Sequence, residues 1–325
     1  MPVLGIDVGG TNVRAMVADE QGQVLSFREA KTPLGSVDSL LSLIADMAGE
    51  ARSCVRGNVR AAGVGFPGLI DFKRGVVRCS PNLPEFHDVA FAAMLSERLG
   101  VRVFLGNDVN IAALGERWLG AGMRFEDFAF ITLGTGLGSG LIVNGRSFWG
   151  GTGYAAELGH LVVEPDGARC ACGNVGCLEA YCSANGLRSR AAALRDSGEE
   201  SAMWSMVDND FRLSTFDFRL TPQIVDLAAS RGDALAIKLL SDAARYLGIA
   251  IAALCDLVGI RVAIVGGRMA NMEFDILGAA QAEANRRSIC ARAGDISEIS
   301  VIRSSLGDKA GCLGAIRYAM DSLSG

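Results

Sequence analysis

Cysteines 170, 172 and 177 stand together in the stretch CACGNVGC, and His160 precedes them by a hairpin's length. One imidazole and three thiols make a Cys3His set, the kind that closes a tetrahedral zinc site. The C-x-C-x4-C spacing is tighter than in a common zinc finger, but Gly173 and Gly176 permit a sharp knuckle. Cys182 is near enough to act as a substitute ligand. A reactive thiol pair and plain buried cysteines are the other uses of the same residues. Four protein ligands leave no position for a metal-bound water, which makes such a metal structural and disfavours a zinc hydrolase. Its work would be to fix the loop that bears Glu157, His160 and Glu179. His87, the only other histidine, is expected in a loop and not on a metal.

Two glycine-rich turns come next. Gly9, Gly10 and Thr11 form one, and Gly134, Thr135, Gly136 and Gly138 form the other. Glycine lets backbone N–H groups approach an anion with no side chain between them. Two such loops, each with a threonine, suit the phosphates of a nucleotide, although each alone also reads as an ordinary hairpin turn. No G-x-x-x-x-G-K-[ST] is present. Gly63, Gly65 and Gly68 spell G-x-G-x-x-G, but Pro67 interrupts the match. LIDFKRG follows as strand and turn, where a dinucleotide site needs a helix. Asn107 and Asp108 occupy the corner between the strand VRVFL and the helix IAALGERW. Strand ends in α/β sheets are where ligands bind. Asp108 can cap that helix. It can also accept the hydroxyl proton during phosphoryl transfer to an alcohol.

These residues need a scaffold, and 325 residues with half of them hydrophobic allow two globular domains. The pattern reads LGID, VRAMVAD and QVLSFREA as strands around a glycine corner. VDSLLSLIADMAGEARS is a helix, AAGVGF a buried strand and FAAMLSERLG a helix. FAFITLGTG and SGLIVNG repeat the opening strand–turn–strand theme, a weak internal duplication. Pro222 to Val258 is helical in pattern, RVAIVGG is a strand, and CLGAIRYAM belongs to a terminal helix; the loop from Asp208 to Thr221 fits no pattern. The expected fold is α/β. A net charge of −5 with no basic run argues against nucleic acid as a partner. The opening MPVLGIDVGG lacks a signal peptide's basic region, and IAIAALC is too short to span a bilayer. The expectation is a cytoplasmic protein without a membrane partner.

Together, D-V-G-G-T at 7–11, G-N-D at 106–108, L-G-T-G-L-G at 133–138, E-L-G-H at 157–160 and C-A-C-G-N-V-G-C-L-E at 170–179 resemble the ROK family. That family contains bacterial sugar kinases, glucokinase-like enzymes among them, and some sugar-responsive repressors. The resemblance runs from Leu4 to about Ala315, and the knuckle after E-L-G-H is its most specific part. It implies an actin-like ATPase (ribonuclease H-like) fold, two domains with an interdomain cleft. Residues 1–111 would form the smaller domain, residues 112–305 the larger one with the knuckle, and a final helix at about 306–325 would pack back on the first.

The resemblance further implies an ATP-dependent kinase acting on the C6 hydroxyl of a hexose, glucose first, with Mg2+ and a structural Zn2+. Asp7, Gly9, Gly10 and Thr11 would face the ATP phosphates and magnesium, Gly134, Thr135 and Gly136 would form the second phosphate loop, and Gly266 and Gly267 would lie near the adenosine. Asp108 would be the general base. Asn107, Glu157, His160 and Glu179 would bind sugar hydroxyls, with Gly68 and Asn82 close by. His160, Cys170, Cys172 and Cys177 would hold the zinc. The implied assembly is a homodimer. Allose, fructose, mannose and N-acetylmannosamine are alternative substrates: S-P-N-L-P at 80–84 resembles allose kinases, while G-N-D-V-N-I-A-A-L-G-E at 106–116 is nearer glucokinases. The chain departs from the family pattern at Ala156 and Ser139, where glycines are usual. A sugar-sensing repressor is the rival class. Only six residues precede Asp7, too few for a helix-turn-helix extension.

Overall fold

The computed structural model describes residues 1–33, 35–208, 220–293 and 298–324. Most of the stretch between Asp208 and Thr221, which fits no sequence pattern, lies outside the described residues. The chain divides into two compact units: Met1–Phe130 with Gly140–Ala156 and Ser304–Gly325, and Ile131–Ser139 with Glu157–Arg303. The expected boundary at 111 falls inside a helix whose residues all belong to the first unit.

The elements before residue 120 are β1 (Val3–Val8), β2 (Asn12–Ala18), β3 (Val24–Lys31), α1 (Val37–Ser53), β4 (Ala61–Phe66), β5 (Leu69–Asp71), β6 (Val76–Cys79), β7 (His87–Val89), α2 (Phe91–Leu99), β8 (Arg102–Asn107) and α3 (Asp108–Leu119). Then follow β9 (Phe128–Leu133), β10 (Leu137–Val143), β11 (Arg146–Ser147), α4 (Glu179–Cys182), α5 (Ala184–Asp196), α6 (Ala202–Asp208), α7 (Pro222–Ser230) and α8 (Ala234–Val258). The last are β12 (Val262–Gly266), α9 (Ile276–Arg287), α10 (Ile289–Arg292), β13 (Ser300–Arg303) and α11 (Ala310–Ser324).

The first sheet has the order β3-β2-β1-β4-β8. β1 and β2 are antiparallel, while β1, β4 and β8 run parallel. Side chains on a strand alternate between faces. Leu4, Ile6 and Val8 therefore share one face and pack with Leu40, Leu41 and Ile44 of α1. Val3, Met16 and Ala18 take the other face, with Cys312, Leu313 and Ile316 of α11. The same alternation puts Asp7 and Arg14 on the α11 face, where they are cross-strand partners. Gly63 and Gly65 lie in β4, and β5 follows, so the G-x-G-x-x-G stretch opens no helix.

Buried Glu116 of α3 ties the returning chain to this unit. Its carboxylate accepts the Ala121 N–H at 2.8 Å, the Leu306 N–H at 3.1 Å and the Ser304 hydroxyl at 2.5 Å. Sequence pattern gives no hint of that contact, because Glu116 and Ser304 are 188 residues apart in the chain.

The second sheet has the order β11-β10-β9-β12-β13. The helical pattern from Pro222 to Val258 resolves into α7 and α8. The break comes at Gly232, with φ of 88°, and at Asp233, whose side chain caps α8 through the Ala236 N–H. His87 lies in the short strand β7 and not in a loop.

Candidate active site

In the first unit, β1 delivers Asp7 to the mouth of the Gly9–Gly10–Thr11 turn. The Arg14 guanidinium stands beside it: Nη1 is 3.6 Å from Asp7 Oδ2, Nε 3.1 Å from Glu29 and Nη2 3.5 Å from Asp308. Asp7 is pushed up to about 6, mainly by burial, with Arg14 pulling the other way. Gly311 at the start of α11 makes room for this carboxylate, since a Cβ there would lie 2.5 Å from Asp7 Cγ. Arg14 is the cation that no motif announces. Its place two residues before Met16 on an alternating strand is the signal that puts it on Asp7's face.

The turn itself is held from the β3 side. Thr32 donates its N–H to the Thr11 carbonyl at 2.9 Å and its hydroxyl to the Gly9 carbonyl at 2.6 Å. Gly10 and Thr11 are exposed. Asn82 is next to Gly10, its Cβ 3.3 Å from where a Gly10 Cβ would stand.

At the end of β8, Asn107 is the N-cap of α3, accepting the Val109 and Asn110 N–H groups at 3.1 Å each. The cap role considered for Asp108 thus belongs chiefly to Asn107. Asp108 is the first helical residue, and its Oδ1 accepts the next N–H, that of Val109, at 2.9 Å. The unpaired N–H groups at a helix N-terminus favour negative charge nearby. Asn107 Nδ2 also donates to the Gly68 carbonyl at 3.1 Å, which locks the β4–β5 corner to the base of α3. Gly68, Asn82, Asn107, Asp108 and the first turn therefore all belong to the first unit.

The remaining candidates fall in the second unit. In the Gly134–Gly136 turn, the Gly134 N–H donates to the Gly136 carbonyl at 3.0 Å. The Gly134 and Thr135 carbonyls accept the Ala184 and Asn185 N–H groups at the start of α5. Glu179 closes the turn by accepting the Leu137 N–H at 2.8 Å. A Cβ on Gly136 would sit 2.6 Å from that same carboxylate oxygen. Glu179 thus braces the second glycine turn, a role the sequence pattern does not suggest. Gly266 ends β12, and Gly267, at φ of 89°, is pressed onto the Leu133 backbone of β9.

The knuckle brings one donor atom each from His160, Cys170, Cys172 and Cys177 within 4.8 Å of one another. Those four atoms fit a tetrahedral thiophilic ion. Cys182 is excluded from the set: it is buried and its Sγ donates to the Ala243 carbonyl of α8 at 3.1 Å. Gly173 and Gly176 both have positive φ, 92° and 76°, as the tight loop requires. Burial pushes Cys177 up to about 12 and raises Cys170, while the Asn174 backbone lowers Cys172. Metal binding displaces such thiol protons.

His160 Nδ1 lies 3.9 Å from Cys170 Sγ. Glu157, in the turn before His160, is raised by burial of its carboxyl, with His160 opposing and Glu179 adding. His160 and Glu179 both stand close enough to Glu157 to act on its charge. Tyr181 and Tyr246 support the knuckle from below, with ring centroids 4.1 Å apart and hydroxyls bonded to the Ala168 N–H and the Glu164 carboxylate.

The two departures from the family pattern have definite places. Ala156 adopts a left-handed backbone, φ 75°, which disfavours any residue with a Cβ. Buried Ser139 accepts the Leu158 N–H through its hydroxyl at 3.3 Å. Among the described residues no helix is long and apolar enough to cross a membrane.

The model of the ROK family matches residues 3–322. The chain is 35% identical to the glucokinase of Thermotoga maritima over 269 residues, 82% of each chain. Its structure is similar to that of the ROK hexokinase from Thermus thermophilus, with a TM-score of 0.83, 32% identity and coverage of 100% of this chain and 99% of that one. It is also similar to a ROK family glucokinase from Streptomyces griseus in complex with glucose and AMPPNP: TM-score 0.79, 31% identity, 99% of this chain and all of that one.

Proposed function

The chain belongs to the ROK family and has its actin-like ATPase fold, and on that premise we propose that it is an ATP-dependent hexose kinase that phosphorylates the C6 hydroxyl of glucose. The observation that carries this reading is the similarity to a glucokinase with glucose and an ATP analogue bound, over 99% of this chain. Asp108 at the first position of α3 supports it.

Asp108 accepts the proton of the C6 hydroxyl as that oxygen attacks the γ-phosphorus and the β–γ bridging bond breaks toward ADP. Asn107 keeps the strand–helix corner rigid, so the Asp108 carboxylate keeps its aim. Glu157, His160 and Glu179 bind sugar hydroxyls, with Gly68 and Asn82 near the same pocket. The Gly9–Thr11 and Gly134–Gly136 turns direct backbone N–H groups at the phosphates, and Gly266 and Gly267 adjoin the adenosine. Asp7 would hold Mg2+, which would supply charge neutralisation on the transferring group. Zn2+ in the His160, Cys170, Cys172 and Cys177 site is structural. The reading also includes a cytoplasmic homodimer serving glycolysis.

A coupled ADP-release assay over glucose, allose, mannose, fructose, N-acetylmannosamine and N-acetylglucosamine tests the substrate. Glucose is expected to give the highest kcat/KM, and a different sugar in that place overturns the glucose assignment. Asp108→Ala is expected to lower kcat by roughly 10²–10⁴-fold, the usual worth of a general base. An unchanged kcat removes Asp108 from that role. Elemental analysis should find one zinc per chain in the knuckle, and sedimentation should find the dimer.

A further inference from the structure

A second cluster of metal-ligating side chains lies in the second unit, apart in sequence from every residue assigned above. Cys255 and Asp256 sit in the last turn of α8, and Cys290 sits in α10. We propose that Cys255, Asp256 and Cys290 form a second metal site, one that takes a thiophilic divalent cation such as Zn2+ or Cd2+.

One donor atom from each of the three lies within 4.8 Å of the other two. Asp256 fixes the arrangement: its Oδ1 accepts the Ser288 hydroxyl at 2.6 Å and the Cys290 N–H at 3.3 Å. The residue supplying the oxygen donor thereby also anchors the backbone that carries a sulfur donor. Oδ2 accepts a longer approach, from the Ile289 N–H at 3.4 Å, and is the less engaged oxygen toward backbone and hydroxyl donors among the described residues. Outer hydrogen bonds of this kind orient a ligand before the metal arrives.

The burial is graded. Cys255 is 1% exposed, Cys290 is half-buried and Asp256 is exposed. An ion therefore has an entry path on the Asp256 side and a dry anchor at Cys255. Two sulfurs and one carboxylate favour zinc-like ions over magnesium or calcium, which prefer oxygen alone. Binding forms two metal–thiolate bonds and one metal–carboxylate bond, and the two thiol protons go to solvent. Three protein ligands leave a fourth position for water, unlike the closed knuckle. The ion would clamp the end of α8 to α10.

The test is native mass spectrometry of phosphine-reduced protein with Cd2+, in a Cys54→Ser background that removes an exposed thiol. The unmodified cluster should hold one more Cd2+ per chain than Cys290→Ser. That substitution alters a half-buried position in a four-residue helix, and circular dichroism checks that the fold is kept. Asp256→Asn should weaken the extra ion by about 10-fold or more. Equal Cd2+ counts for the parent and Cys290→Ser overturn the proposal. Failure of the knuckle to bind lowers both counts alike and leaves their difference unchanged, so the two sites are judged separately.

Discussion

The two glycine turns look alike in sequence and are held in unlike ways. In the turn at Gly9–Thr11 the residue just after β3 takes the carbonyls, through both donors of Thr32. In the turn at Gly134–Gly136 the start of α5 takes them, through Ala184 and Asn185. Either device ties the turn's carbonyl oxygens to donors of a neighbouring segment. The difference is in the charges. The first turn has its own carboxylate and guanidinium, Asp7 and Arg14. The second borrows Glu179, whose other oxygen is 3.8 Å from Cys170 Sγ of the knuckle. Damage to the knuckle should therefore reach the second turn and spare the first.

Glu179→Ala is the strongest way to break this comparison. Loss of the brace on Leu137, together with the proposed sugar contact, should lower kcat/KM by about 10²-fold or more, the scale of a small misplacement of a reacting group. Glu179→Gln keeps an acceptor and should lose less. Chelation of the knuckle metal should speed hydrogen exchange at the Leu137 amide but not at the Gly9 amide. Equal acceleration at both would end the distinction between the turns.

Asp7→Asn is next. Burial raises Asp7 from an ordinary 3.8 to about 6. The folded protein therefore holds this proton more tightly than the unfolded chain does. The destabilisation is small below about pH 4, grows as pH rises to about 6, and is fully present above that. Asp7→Asn should add up to roughly 3 kcal/mol at pH 7.5 and almost nothing near pH 4, read from thermal melts at both pH values. In the parent enzyme, activity should fall as pH drops through about 6 and the carboxylate is lost.

Thr32→Val removes one hydroxyl bond from the first turn and should cost about 1 kcal/mol, measured by denaturant unfolding. It should raise the KM for ATP and leave the Leu137 amide exchange rate alone. Ala156→Gly should have the smallest effect. It releases a left-handed strain of about 1–2 kcal/mol but adds glycine's entropy cost of about 0.5–1 kcal/mol. The expected result is a melting temperature equal to or slightly above that of the parent.

Much of the candidate site is legible where its chemistry is local. The knuckle reads from His160 to Cys177 because a short stretch of backbone sets its spacing, and one imidazole with three thiols is a recognisable metal-ligand set. The break between α7 and α8 was present as Gly232 and Asp233 but is hidden by apolar periodicity on both sides. Asn107 and Asp108 show the limit of local reading. Both are good caps, and only the helix's exact start decides that Asn107 caps while Asp108 leads the first turn.

The sequence by itself determined which short segments carry chemistry: the two glycine turns, the corner at Asp108 and the cysteine knuckle. Backbone geometry links neighbours a few residues apart, so their types and spacing suffice. Only the tertiary structure decided that Arg14 meets Asp7 and Asp308, that Thr32 holds the first turn, and that Glu179 closes the second from 42 residues away. Those contacts depend on strand register and helix docking, which are set by burial over the whole chain and by no rule that adjacent residues reveal.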